Sequence, residues 1–430
     1  MTIDKGENEL KVFWTLEPPQ RRNLLILFGS GLLFWMSLAS LLPTLPLYIQ
    51  HIGGNASQIG IVMGSFAIGL LLFRPWLGRL ADRRSRKLVL IVGTAVAAIA
   101  PFGYLFVQSI PMLIGIRAFH GISIAAFTTA YSALVVDLSP ISKRGELIGY
   151  MSLVAPIGMA LGPAIGGLLQ AGAGYDRLFL FAAALGIISL VGVTQIREAR
   201  KQVIGLEDNP DLSVQVAVKP LWKILTDRSL LIPSLVLLLI GFAFGALTTF
   251  VPLYITETKI DLNPGWFYTA AALASFTSRI FIGRASDVYG RGLFITASIF
   301  SYCLAMLMLS QAKSAIAFLL GGILEGAGSG TLLPMMVALL SDRSSPLERG
   351  RIFAICISGF DLGVAIAGPV FGFTIESIGY RGIFVLSTGL SILGMIVFIT
   401  QCSKDLHHSL KFALGRERDL YAFGELKSEK

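Results

Sequence analysis

Twelve apolar runs, each roughly 18 to 27 residues long, set the strongest limit on what this chain can fold into. Their approximate limits are 24–48, 59–77, 88–107, 111–136, 147–170, 178–196, 230–255, 265–283, 293–310, 314–340, 351–375 and 382–401. At a rise of ~1.5 Å per residue, a helix of that length crosses a hydrocarbon layer ~30 Å thick. Backbone N–H and C=O groups find no water there, so each run must bond to itself, and a helix does so. Composition points the same way. Hydrophobic residues make up 54% of the chain and charged residues only 14%, where a soluble domain carries about 25% charged residues. The first run is too long for the core of a signal peptide and has no convincing cleavage site after it, so a retained span is expected.

The chain also repeats itself. LLFRPWLGRLADRRSRKLVL (71–90) returns in outline as SRIFIGRASDVYGRGLFI (278–295). Arg74, Gly78, Arg79, Asp82 and Arg86 recur as Arg279, Gly283, Arg284, Asp287 and Arg291, each 205 residues later. Asp137 and Arg144 recur as Asp342 and Arg349 at the same offset. A constant offset in a chain of 430 residues means two copies of one unit. The expected fold class is therefore all-α integral membrane, with 12 transmembrane helices in two pseudo-symmetric six-helix bundles. The expected parts are an N-terminal tail (1–23), a first bundle (24–196), a central loop (197–229), a second bundle (230–401) and a C-terminal tail (402–430). Pro18 and Pro19 are expected to break any helix ahead of the first span. KPLWKIL (219–225) is expected to form a short amphipathic helix on the membrane surface.

Lysine and arginine are distributed very unevenly. Of 35, 28 fall in the segments on the N-terminal side of the spans, 4 in the loops of the other side and 3 inside the runs. The positive-inside rule then predicts a multi-pass protein of the cell membrane with both termini and the central loop in the cytoplasm. The net charge of +9 is explained by topology, and nucleic acid is not expected as a partner. Cys303, Cys356 and Cys402 cannot all pair and are read as unpaired; Cys303 and Cys356 are expected as small buried residues. Cys402 precedes Asp405, His407 and His408, which could hold a metal but are read as a solvated tail. The chain has no G-x-x-x-x-G-K-[ST] loop, no H-E-x-x-H and no paired-cysteine motif. An ATP-driven pump, an enzyme, a metal and an organic cofactor are all unexpected on those grounds. GAGSG (326–330) looks like a phosphate loop in isolation, but no strand precedes it, so close helix packing is expected instead.

GRLADRRSRK (78–87) follows the pattern G-x-L-A-D-R-x-G-R-K, with Ser85 where a second glycine is usual. With twelve spans, two related halves and a charged central loop, the chain resembles the major facilitator superfamily over nearly its whole length. Within that family it is most similar to the twelve-span drug:proton antiporter branch. The resemblance implies a substrate bound midway across and two inverted three-helix repeats in each half. It implies that Gly78, Asp82, Arg83 and Arg86, with Gly283, Asp287 and Arg291, form cytoplasmic latches. Gly78 is expected to let helices approach closely, and Ser85 to loosen the turn. Asp82 can pair with Arg86 one turn later, and the repeat suggests Arg144 as a partner for Asp82 and Arg349 for Asp287.

IRAFHGISIAA (116–126) resembles the family's R-x-x-Q-G motif, with His120 in place of glutamine. Arg117, His120 and Gly121 share one helical face, and an arginine within a membrane marks a functional site by default. The offset of 205 carries His120 onto Glu325 and Gly121 onto Gly326. The resemblance puts spans four and ten around a central cavity, so His120 and Glu325 are expected to face one space from opposite walls. Asp361 is the second acid deep within a run, and the first run has no acid where many proton-coupled relatives carry one. Arg117, His120, Glu325 and Asp361 are the candidate substrate and proton pathway, with static polar contact between helices as the competing reading.

GYMSLVAPIGMALGPAIGG (149–167) fits G-x8-G-x3-G-P-x2-G-G at Gly149, Gly158, Gly162, Pro163, Gly166 and Gly167. In the family it resembles, this motif marks exporters. Gly158, Gly162 and Gly166 make a smooth stripe for a neighbouring helix, and Pro163 allows a bend. The second half keeps Gly368, Pro369 and Gly372, with the register slipped to 206. Pro43 and Pro46 near the outer end of span one, with Pro252 in span seven, complete the likeness. The expected function is secondary active export of a small organic molecule, such as a drug-like compound, metabolite or siderophore, by proton antiport with alternating access. A lipid-embedded monomer is expected. The alternative is an uptake symporter or facilitator for a sugar or organic acid.

Overall fold

The structure is a computed structural model that describes residues 11–197, 226–345 and 348–422. KPLWKIL lies outside the described residues, as do the side chains of Arg284, Asp287 and Arg349 and the surroundings of Gly283. After a short turn of helix at Lys11–Trp14, the chain forms α1 (Pro18–Ser40), α2 (Leu45–His51), α3 (Ala56–Arg83), α4 (Arg86–Phe106), α5 (Ile110–Leu138), α6 (Arg144–Met151) and α7 (Val154–Thr194). The second half forms α8 (Arg228–Glu257), α9 (Pro264–Tyr289), α10 (Arg291–Ser310), α11 (Ala315–Asp342), α12 (Arg349–Gln401) and α13 (Leu406–Ala413).

Among the described residues, nine helical stretches are long and apolar enough to cross a membrane. The helix α9 has the length but carries Arg279 within it. Two of the nine stretches are each two helices joined across a kink at a glycine in the left-handed region, α7 at Gly174 (φ 84°) and α12 at Gly379 (φ 66°). Only glycine takes that conformation at little cost, and these two stand 205 residues apart. Counting α9 and dividing both stretches at their glycines brings the crossings to the expected twelve. Pro18 and Pro19 separate the Lys11–Trp14 turn from the first span, as expected, and they also begin α1, at its first positions. Proline is tolerated there because the N–H it lacks would have no partner in the first turn.

Among the described residues the helices cluster into two compact units, one of residues 11–44 and 68–197, the other of residues 45–67, 226–345 and 348–422. The first has a core of Leu24, Leu27, Phe34, Leu77, Leu90, Phe127 and Leu134, in which Phe34 and Phe127 stack with centroids 3.8 Å apart. In the second, Leu230, Leu340, Ile352 and Cys356 pack together, while Tyr254 stacks on Tyr380 and Phe384. One segment clusters apart from its neighbours in the chain. Residues 45–67 belong by sequence to 24–196, yet they pack in the second unit. Glycines allow this. A Cβ on Gly60 would overlap the Gly368 carbonyl, one on Gly64 would lie 2.5 Å from the Ala365 oxygen, and one on Gly372 would lie 2.6 Å from the Ala56 oxygen.

In the C-terminal tail Asp405 and His407 are exposed and His408 half-buried, but the tail is not wholly solvated: Ser409, Phe412 and Ala413 of α13 are buried, and the Thr296 hydroxyl donates to the Ala413 carbonyl at 3.0 Å. Asp405 caps α13 by accepting from the His408 N–H at 2.9 Å and meets His408 Nδ1 at 2.6 Å. Cys303, Cys356 and Cys402 are free and buried.

Candidate functional site

The basic loops hold two matching ion pairs. Arg86 Nη1 lies 2.6 Å from Asp137 Oδ1 and also donates to the Ala133 carbonyl at 2.8 Å. Its repeat, Arg291, lies 2.6 Å from Asp342 Oδ2 through Nε and bonds Oδ1 through Nη2. The two repeated arginines therefore bind acids near the ends of α5 and α11, partners that the local pairing of Asp82 with Arg86 did not anticipate. The Asp287–Arg349 pair lies outside the described residues. Two glycine and serine expectations change as well. A Cβ on Gly78 meets nothing within 4 Å, so close helix approach does not require glycine there. Ser85 does not loosen the turn but caps α4: its backbone is extended and its hydroxyl accepts from the Leu88 N–H at 3.0 Å. Its counterpart Gly290 reaches the same corner with φ 85° and no side-chain cap.

The glycine stripe of α7 has a definite neighbour. A Cβ on Gly158 would lie 2.5 Å from Trp35 Cβ, one on Gly162 would lie 2.8 Å from the Met36 oxygen, and one on Gly166 would overlap the Ser40 carbonyl. All three seat α7 closely on the backbone of α1. Gly149 is different, with open space where its Cβ would be. Pro163 and Gly167 are buried. In the second half the slip in register acquires a reason. Ala367, at the true 205 offset from Gly162, packs on Gly245 of α8, while Gly368 faces Gly60. One residue is about 100° of helical rotation, so the extra step turns a glycine from one neighbour to another.

The candidate polar residues form two buried clusters. Arg117 and His120 of α5 are buried; the Tyr104 hydroxyl of α4 lies 3.0 Å from His120 Nδ1 and bonds to Arg117. Arginine can only donate, so the Tyr104 proton is available to His120. Phe179 of α7 packs against Tyr104. In the second unit, Glu325 of α11 is 3% exposed. The Tyr302 hydroxyl of α10 lies 3.4 Å from its Oε1, Ser329 bonds to it one turn on, and Tyr268 of α9 is close enough to interact. Tyr268 in turn bonds the Leu247 and Thr248 carbonyls of α8. His120 and Glu325, expected to face an open space, are each closed in beside tyrosines of their own units. Asp361 is half-buried on α12 beside Phe360, whose carbonyl lies against Gly241 of α8. Of the four candidates, the structure thus brings Arg117 and His120 together and gives Glu325 a separate set of hydroxyl partners. The GAGSG segment packs as expected: Gly326 and Gly330 fit against α9, and Gly328 against α10.

Sequence reading missed Tyr104, Tyr268 and Tyr302, because none falls on the repeat offset of its acid or histidine. It also missed Arg343, counted only as one more positive charge.

A family model described as Major Facilitator Superfamily matches residues 27–270 and 261–430. Among curated relatives, the Quinolone resistance protein NorA of Staphylococcus aureus is 23% identical over 88% of this chain and 96% of its own length. The Multi-drug resistance efflux pump PmrA homolog of Lactococcus lactis is 26% identical over 88% of this chain and 94% of its own. Among solved structures, the nucleoside transporter NupG superposes with a TM-score of 0.72 at 15% identity, covering 87% of this chain and 97% of its own. A D-xylose-proton symporter superposes with a TM-score of 0.72 at 15% identity, covering 87% and 96%. At such identities the solved structures establish the fold alone. The repeat, the twelve crossings and the family match over nearly the whole chain lead to one conclusion: this chain is a multi-pass membrane transporter, not an enzyme, and belongs to the Major Facilitator Superfamily.

Proposed function

We propose that the chain exports a small organic molecule from the cytoplasm in exchange for protons, by alternating access. The observation that carries the reading is the glycine–proline pattern of 149–167, which resembles that of exporters and whose Gly158, Gly162 and Gly166 seat α7 on α1. Such a contact has no side chains to interlock, so α7 can seal against α1 and still bend at Pro163. The two curated relatives, one named for quinolone resistance and the other as a multidrug efflux pump, support export of drug-like compounds. Glu325 supports proton coupling: a buried carboxyl bonded to hydroxyl groups can hold or release a proton without breaking an ion pair. The uneven lysine and arginine distribution supports cytoplasmic placement of the basic loops.

The test compares cells lacking and overproducing the protein, loaded with a fluorescent cationic dye or a quinolone. Overproduction should lower accumulation, deletion should cause retention, and a protonophore should abolish the difference. Higher accumulation on overproduction, with no retention after deletion, would show uptake and sink the export reading.

A further inference from the structure

Arg343 makes four hydrogen bonds in the second unit. It directly follows Asp342, the latch acid, and its side chain is fully buried. Its guanidinium donates to Asp419 Oδ2 through Nε at 2.7 Å and to Oδ1 through Nη2 at 3.0 Å. Nη1 donates to the Ser229 carbonyl at 2.6 Å and Nη2 to the Cys402 carbonyl at 2.7 Å. Tyr421 covers one side, with its ring centre 5.1 Å from the guanidinium carbon. One planar fork therefore ties the end of α11 to the start of α8, the end of α12 and the tail beyond α13. A bidentate pair of this kind is strong only with both partners present; removing one leaves a buried charge unmatched.

The tail reaches Arg343 by crossing the latch. A Cβ on Gly292 would overlap the Phe412 carbonyl, and one on Gly415 would lie 2.6 Å from the Tyr289 oxygen. Between tail and helices lies a cavity of about 490 Å³ whose walls include Arg291, Asp342, Arg416 and Asp419. The first repeat has no such clamp, since the residue 205 before Arg343 is Leu138.

We propose that residues 406–421 form a strap, closed by the Arg343–Asp419 pair, that braces the Arg291–Asp342 latch of the second repeat and so sets the rate of transport. The strap is asymmetric: among the described residues, the arginine that closes it has no counterpart in the first repeat, where Leu138 stands. The effect on rate rests on the transport reading above, whereas the closure of the strap does not.

Cys402 is a built-in reporter. It is buried, its carbonyl is held by Arg343, and Ser409 of α13 lies over its sulfur. Burial pushes its thiol up to about 12, with Arg343 pulling the other way, so a maleimide, which needs the thiolate, reacts slowly while the strap is closed. In the full chain with Cys303→Ser and Cys356→Ser, labelling of Cys402 by a membrane-impermeant maleimide in inside-out vesicles should rise at least tenfold in Asp419→Ala. Asp419→Glu should label as slowly as the parent. Arg343→Lys, which keeps the charge but not the fork, should label several-fold faster. Equal labelling of the parent and Asp419→Ala overturns the strap. In the same vesicles Asp419→Ala should slow dye transport at least threefold and Asp419→Glu should not. Faster labelling with unchanged transport overturns the bracing of the latch. Absence of dye transport by the parent would count against the export reading and would leave the labelling result standing.

Discussion

At the scale of single residues, similar corners are built with different chemistry. Ser85 and Gly290 hold matching places before α4 and α10, yet one caps with its hydroxyl and the other turns through a positive φ. Ser85→Ala should therefore cost about 1 kcal/mol of stability and Ser85→Gly only a few tenths, read from thermal unfolding in detergent. Gly290→Ala should cost about 1–2 kcal/mol, because an added Cβ opposes the left-handed backbone. The reverse ranking, with glycine at 85 tightening the loop, would restore the simple motif reading. Glu325 is the other residue whose surroundings matter more than its type. Glu325→Gln keeps the size and most hydrogen bonds but cannot release a proton. Uphill export driven by a pH gradient should drop at least tenfold, while exchange of dye for dye across vesicles persists. Undiminished gradient-driven export would leave Glu325 as a packing contact between α10 and α11.

At the scale of helices, a motif match and a packing role are separable. Gly149 and Gly166 both fit the pattern of span five, but a Cβ at Gly149 meets open space and one at Gly166 overlaps the Ser40 carbonyl. Gly166→Val should reduce export at least tenfold and lower the melting temperature, and Gly149→Val should be nearly silent in both. Equal loss in the two variants would remove the close-packing argument. The six-position pattern was legible in the chain because glycine spacing is local. Which helix it meets was not, since that depends on how α1 is rotated about its own axis. The same holds for Gly368, whose one-residue slip reads as noise in the chain and as a change of neighbour in the fold.

At the scale of the whole molecule, the repeat organises both ends of the chain. Its two ion pairs, Arg86–Asp137 and Arg291–Asp342, keep the same offset and bridge equivalent helices. Arg86→Asp should cut export several-fold, and the exchange Arg86→Asp with Asp137→Arg should recover a large part of it. Failure of the double variant, when both proteins reach the membrane in equal amounts, would deny the pair a role beyond its individual charges. These pairs are part-exposed, so their strength should also fall with salt, unlike that of the buried Arg343–Asp419 clamp.

Hydropathy, run length and charge bias act along the chain, residue by residue, so the sequence alone determined the membrane, the twelve crossings and the twofold repeat. It also marked where charges would gather. Partners are set differently. A helix turns about 100° per residue, so a side chain's neighbour follows from how whole helices pack, and one step in register changes it. Only the tertiary structure, therefore, joined Arg86 to Asp137 and set His120 and Glu325 beside tyrosines of their own units. For the same reason it alone grouped residues 45–67 with the second unit and buried Arg343 against Asp419 of a tail that the chain presents as polar.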